Sequence, residues 1–156
     1  MELSKRKPLR LKEYDYSQNG AYFITLCTKD KRKLLCEIVG DGLCAVPKIN
    51  LTRIGHETEK AILHINGYAD ITVDNYVVMP NHVHMIISIC NENSGKSDIG
   101  IPEIMKRFKS YTTNIFGDTL WQRSYHDHII RGQQDYDEIW QYIDGNPLRW
   151  DSDCYY

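Results

Sequence analysis

The sequence predicts an α+β fold, an antiparallel sheet with helices packed on it, from three observations. Residues 71–79 and 82–90 are two strand-like runs rich in β-branched residues, separated only by a Pro80-Asn81 turn. Residues 21–28 alternate in the manner of a further strand. Residues 51–66 and 102–115 instead carry apolar side chains at helical spacing.

Taken in order, the first strand places Tyr22, Ile24 and Leu26 on one face and Phe23, Thr25 and Cys27 on the other. Residues 34–39 read as its hairpin partner or continuation, closed by Gly40-Asp41-Gly42. The first helix sets Leu51, Ile54, Thr58, Ala61, Ile62 and Ile65 on one side and meets a stop signal at Asn66-Gly67. After the paired strands, residues 91–98 form a polar connection, and Pro102 opens a helix with Ile104, Phe108, Tyr111 and Ile115 facing the core. Residues 120–131 fit no single pattern. A last helix covers residues 133–145 and is stopped by Pro147. The expected order is ββαββα with a C-terminal helix, in one domain spanning residues 1–156.

Composition narrows the function classes. With 42% hydrophobic and 26% charged residues, the 156-residue chain can bury a core and is not disordered. No apolar run approaches the ~20 residues of a membrane-spanning helix, so no membrane partner is expected. The charged N-terminus is not followed by an apolar stretch, so no secretory signal is expected. Five cysteines without a CxxC pair argue against a disulfide scaffold or cysteine zinc site and make a reducing cytoplasm the expected location. The net charge of −2 argues on its face against nucleic acid. The charges are segregated, however. Lys5, Arg6, Lys7, Arg10 and Lys12 form a basic arm, residues 29–33 a second cluster, and Lys106, Arg107 and Lys109 a third, while acid collects after residue 134. Screening beyond about 8 Å makes such local patches, not the total, decide phosphate attraction.

His82-Val83-His84 is the most informative tripeptide. On a strand the two imidazoles share a face, about 7 Å apart along the chain, while Val83, Met85, Ile87 and Ile89 share the other. Two imidazoles so placed can chelate a divalent cation, although two ligands alone do not close a site. A histidine-triad nucleotide hydrolase needs a third histidine at position 86. The HxHxDH hydrolase pattern needs an aspartate at that position and a histidine at the next. The chain has Ile86 and Ile87 there, which excludes both.

In the last helix, Tyr136, Ile139, Trp140 and Ile143 define the core stripe, and Tyr142 and Asn146 share one flank. A tyrosine hydroxyl, with a pKa near 10, needs help to act as a nucleophile at neutral pH. Spacing alone leaves Tyr111, Tyr125 and Tyr136 in contention with Tyr142.

The segments Tyr76-Val-Val-Met-Pro-Asn-His-Val-His84, Trp121-Gln-Arg-Ser-Tyr-His-Asp-His-Ile-Ile-Arg131 and Tyr142-Ile-Asp-Gly-Asn-Pro147 together resemble the REP-associated tyrosine transposases, which are single-tyrosine HUH transposases. Arg10-Leu-Lys-Glu-Tyr-Asp-Tyr-Ser17 and Gly20-Ala-Tyr-Phe-Ile-Thr25 extend the likeness over nearly the whole chain. The resemblance implies a ferredoxin-like antiparallel sheet with helices on one face, the HUH pair on a central strand, and the tyrosine on the C-terminal helix. It implies that His82, His84 and Asn146 bind a divalent metal, Mg²⁺ or Mn²⁺, and that Tyr142 attacks single-stranded DNA to form a 5′-phosphotyrosine. Hairpin DNA becomes the expected partner, with Lys5, Arg6, Lys7, Arg10, Lys106, Arg107 and Lys109 as phosphate contacts. Tyr14, Tyr16 or Trp121 are candidates for stacking on unpaired bases, with core packing the competing role for Trp121. His126 and His128, a second HxH, are expected to be structural or close to DNA. Related transposases exchange the tyrosine helix between subunits, so a homodimer is one expected assembly. The chain closes soon after the Asn-Pro motif, so no long regulatory tail is expected. Two other functions remain open: a domesticated hairpin-binding protein with little or no turnover, and a phosphodiesterase that uses activated water.

Overall fold

The computed structural model describes residues 10–40 and 46–155 and contains six strands and three α-helices among them. Strand β1 (Gly20–Cys27) is followed by β2 (Cys36–Val39), β3 (Lys48–Leu51) and helix α1 (Arg53–His64). Strands β4 (Ile71–Val78) and β5 (His82–Ile89) lead into α2 (Ile101–Phe116), β6 (His126–Ile129) and α3 (Gln133–Gly145). The main sheet has the order β4-β5-β1-β6, with every neighbouring pair antiparallel. Leaving aside the β2–β3 hairpin, this is the βαββαβ ferredoxin-like topology, and β5 lies inside the sheet.

Alternation along β5 builds the two faces. Val83, Met85, Ile87 and Ile89 join Tyr22, Ile24 and Leu26 of β1 in a core closed by Ala61 and Ile62 of α1 and Ile101, Ile104, Met105 and Phe108 of α2. Full burial of each large side chain is worth about 1.5–3 kcal/mol. On the opposite face, Ile86 and Val77 meet Ile143 of α3 and Trp150, with Tyr136, Ile139 and Trp140 packed around them. The helices therefore cover both faces: α1 and α2 one, α3 the other.

Local chemistry sets the boundaries. The Thr52 hydroxyl caps α1 by accepting from the Gly55 amide at 3.1 Å. Pro102 sits in the first turn of α2, and Gly117, at φ 83°, ends it in the left-handed conformation. The Trp121 indole donates to Thr112 Oγ1 (2.7 Å), locking the segment before β6 onto α2.

Several sequence expectations change. Residues 36–39 pair with β3, not with the first strand. The expected order lacks β3 and β6, both four-residue strands too short for a strong period-two signal. Tyr111 is 49% exposed instead of facing the core. Trp121 and Tyr16 are buried, Tyr16 in an aromatic cluster with Tyr14 and Tyr22, so Trp121 and Tyr16 do not present rings to bases. The turn proposed at 41–42, Cys44 and the arm residues Lys5, Arg6 and Lys7 lie outside the described residues. Cys27, Cys36, Cys90 and Cys154 are all unpaired thiols.

Gly55 marks where α1 meets the chain before β2: a Cβ there would clash with the Leu35 carbonyl oxygen. Gly55→Ala should therefore destabilise by about 1–3 kcal/mol, or somewhat more, through overpacking. Helix propensity alone would instead give about 1 kcal/mol of stabilisation. Urea denaturation decides the sign.

Candidate metal and tyrosine site

The β4–β5 turn aims the first histidine. Met79 N–H donates to the His82 carbonyl (2.8 Å), and the Pro80 and Asn81 carbonyls accept from the Leu35 and Thr28 amides at 3.0 and 2.9 Å. The Asn81 side-chain NH₂ donates to the carbonyls of Tyr155 (2.6 Å) and Lys31 (3.4 Å). That orientation leaves Asn81 Oδ1 facing His82 Nδ1 at 2.8 Å, as an acceptor. His82 is thereby held as the Nδ1–H tautomer, with a bare Nε2 lone pair.

The second histidine is aimed from β1. Thr25 lies directly opposite His84 in the β1–β5 register, and its buried hydroxyl meets His84 Nδ1 at 2.7 Å. Both Nε2 atoms are buried and have no hydrogen-bond partner among the described residues. Burial pushes His82 down to about 4, against the attraction of Asp153, and holds His84 well below the ordinary imidazole range. The two rings are therefore neutral at pH 7, the form that ligates metals.

Helix α3 brings the remaining groups. Tyr142 sets its ring 5.2 Å from that of His84 and 6.1 Å from Phe23, both edge-on. Asn146, at the C-cap, is buried, and its Oδ1 has no hydrogen-bond partner among the described residues. Three orphaned acceptors, on His82, His84 and Asn146, are thus drawn from the expected ligand set. An unpaired buried acceptor ordinarily costs about 1–3 kcal/mol, and a bound cation could offset that cost for these three. Burial raises the Tyr142 hydroxyl above its ordinary pKa, opposed by the adjoining Asn146 amide.

Asp153 is a site residue that sequence reasoning misses. Its carboxylate lies 3.9 Å from His82 Nε2, and ligand atoms of His82, His84 and Asp153 all fall within 4.8 Å of one another. The 3₁₀ segment Pro147–Ser152 carries it there, anchored by buried Trp150. Tyr155 then stacks on His82 at 4.6 Å. A lone Asp in an acidic C-terminal stretch carries no periodic signal. Thr25 is the more legible omission, since cross-strand alternation puts it on the histidine face.

The helix is docked by polar contacts outside the site. Asp74, at a bulge in β4, accepts from Tyr136 Oη at 2.9 Å and from Ser88 Oγ. Asn75 donates to Asp144 (3.0 Å), and His128 pairs with Asp135 at 2.8 Å. Of the four tyrosines in contention, Tyr142 alone contacts the histidines: Tyr136 is bonded to Asp74, Tyr125 is buried beside Arg10, and Tyr111 lies on the opposite helix layer. His126 lies opposite Thr25 and so shares the His84 face, but is exposed and outside the ligand group.

The predicted phosphate contacts do not gather at the histidines. Lys106 and Arg107 are exposed on α2, across the sheet, with Arg107 paired to Glu103 at 2.8 Å. Lys109 donates to the Gln122 and Arg123 carbonyls at 2.7 and 2.9 Å, and Arg10 lies 4.3 Å over the Tyr125 ring.

An uncharacterized protein of Haemophilus influenzae is 32% identical over 175 residues, covering 97% of this chain and 93% of that one. The chain belongs to the same family as that protein. No family model matches the sequence. Among solved structures, a REP-associated tyrosine transposase bound to a REP hairpin superposes with a TM-score of 0.65 at 22% identity, over 90% of this chain and 74% of that one. A candidate transposase of Deinococcus radiodurans gives 0.51 at 18% identity, over 87% and 95%. This chain thus has the fold of the REP-associated tyrosine transposase.

The histidines give a pH signature. Unfolded imidazoles titrate near 6.5, whereas in the folded chain His82 does so near 4 and His84 well below 6.5. The unfolded chain then binds more protons in mild acid. Metal-free protein should hold its full stability above about pH 6.5 and lose it progressively toward pH 4. Melting temperatures across pH 4–8 in chelator check this, and His84→Ala should flatten the profile.

Proposed function

We propose that the protein is a metal-dependent transposase-type strand transferase that cleaves and rejoins single-stranded DNA next to hairpins through Tyr142. The observation that carries this reading is the convergence of Tyr142 with the orphaned acceptors of His82, His84 and Asn146. The fold it shares with a transposase bound to a REP hairpin supports hairpin DNA as the substrate class.

His82, His84 and Asn146 would hold the cation, with Asp153 in reach as a further ligand. When bound, Mg²⁺ or Mn²⁺ supplies Lewis-acid polarisation of the scissile phosphate. The residues themselves do the rest. Asn81 fixes the His82 tautomer, and Asn81 and Thr25 hold the planes of the two rings. Helix α3 holds the Tyr142 ring against that of His84, which removes the entropy cost of finding the nucleophile. Tyr142 Oη forms the new P–O bond, the P–O3′ bond breaks, the phenolic proton passes to solvent, and the departing oxygen takes a proton from water. The products are a 5′-phosphotyrosine and a 3′-hydroxyl. Attack by a 3′-hydroxyl on the phosphotyrosine reverses the step and rejoins the strand without an external energy source. All the named groups come from one chain, so a homodimer is not needed to complete this constellation.

Incubation with hairpin oligonucleotides bearing single-stranded flanks, drawn from DNA around the gene, should give a covalent adduct with Mn²⁺. The adduct should be absent with chelator and in Tyr142→Phe. Cleavage surviving in Tyr142→Phe would instead favour attack by activated water, and metal-independent binding without any adduct would favour a hairpin-binding module.

Metal binding can be tested without DNA. Mn²⁺ should raise the melting temperature of the wild type but not of His84→Ala, and Asp153→Asn should weaken Mn²⁺ binding measured by calorimetry.

A further inference from the structure

The groove beside Tyr142 contains a cation that the reaction above does not use. Glu138, Gln141, Tyr142, Gly145, Leu148 and Arg149 line it on the solvent side of α3. Arg149 holds its guanidinium 5.7 Å over the Tyr142 ring. The guanidinium is seated against Gly145: a Cβ on that residue would stand 2.8 Å from Arg149 Nη2 and 3.4 Å from Cζ. Gly145 therefore leaves the space that the planar group fills. Arg149 is exposed, and among the described residues its guanidinium makes no ion pair or hydrogen bond. Arg107, by contrast, is bound to Glu103, and Arg32 to the Thr119 carbonyl.

We propose that Arg149, seated on Gly145, is a catalytic residue that binds the non-bridging oxygens of the scissile phosphodiester beside Tyr142. Three facts carry it. The guanidinium is adjacent to the tyrosine and not merely on the same surface, its N–H groups have no protein acceptor among the described residues, and its seat requires the absence of a side chain at 145. A planar guanidinium matches two phosphate oxygens at once and stays charged at any working pH. The group lies over the tyrosine ring, whereas His84 meets that ring edge-on, so a phosphate reaching Tyr142 Oη would have the guanidinium on one side and the histidine group that would hold a metal on the other. In the rejoining direction the same charge stabilises the departing phenolate, while the new P–O3′ bond forms and the P–Oη bond breaks. The proposal rests on the Tyr142 reading for its catalytic part and on geometry alone for its phosphate-binding part.

The experiment uses the full chain, the hairpin oligonucleotides described above with Mn²⁺, and oligo(dT) as a sequence-independent probe of binding. Arg149→Gln should slow adduct formation by about 10²–10³-fold, the usual effect of removing one transition-state donor. It should also lower the salt slope of oligo(dT) binding by about 0.7, the value for one phosphate contact on a single strand. Arg149→Lys should restore the salt slope but only part of the adduct rate. Gly145→Ala, which keeps the charge but takes its seat, should slow adduct formation without lowering the melting temperature, since alanine is the better helix former. Wild-type adduct rates and salt slope in Arg149→Gln would overturn the proposal. If the wild type forms no adduct at all, the Tyr142 reading fails, and the oligo(dT) slope still decides the phosphate contact: a reduced slope in Arg149→Gln supports it and an unchanged slope refutes it.

Discussion

The structure depends on a strand buried on both faces that nevertheless carries two imidazoles. Strand β5 lies inside the sheet, with α1 and α2 on one side and α3 with the segment after it on the other. Its apolar face needs nothing more. Its other face removes His82 and His84 from water, and each ring must then satisfy two nitrogens inside the protein. Asn81 and Thr25 satisfy one nitrogen of each. The two left over are buried without a partner among the described residues, and the site follows from that remainder. The turn holding Asn81, the register that places Thr25 opposite His84, and the helix that delivers Asn146 are consequences of the same constraint.

The placement of α3 shows how the sequence pattern and the polar contacts divide the work. Its stripe of Tyr136, Ile139, Trp140 and Ile143 gives the helix a face but not an axial position, because apolar packing tolerates sliding. The side-chain bonds to Asp74, Asn75 and His128 supply that position. Asp74 can do so because the bulge after Val73 turns its carboxylate to where both Ser88 and Tyr136 reach it. A tyrosine nucleophile on a helix is accurate only if the helix cannot shift by a fraction of a turn, so these contacts act on Tyr142 at a distance.

Much of this is legible in the sequence, and the remainder has physical reasons for being hidden. The strands of residues 71–79 and 82–90, the first and last helices, and the shared flank of Tyr142 and Asn146 rest on long periodic runs. Strands β3 and β6 span four residues each, too few for a period to declare itself. Trp121 is ambiguous in sequence because an indole suits a base stack and a core equally well until a partner for its N–H is known; Thr112 is that partner. Asp153 is invisible there because its place depends on a 3₁₀ turn and a buried tryptophan, not on any repeat along the chain.

The charge balance is explained by where each sign is placed. The acidic residues of α3 are largely engaged: Asp135 with His128, Asp137 with Gln133, Glu138 with Gln134, and Asp144 with Asn75. These bonds brace the helix along its length and tie it to β4 and β6. The basic cluster of residues 29–33 follows β1 at the histidine end of the sheet, since Cys27 pairs with His82 and the Lys31 carbonyl accepts from Asn81. Lys33 lies 5.5 Å over the Trp150 ring, in the segment that carries Asp153. Screening confines each charge to its own neighbourhood of about 8 Å, so a chain of net negative charge still presents cations at the end of the sheet where the histidines lie. The net figure describes how the protein behaves as a colloid. The field at the site is set by which loop the fold places beside it.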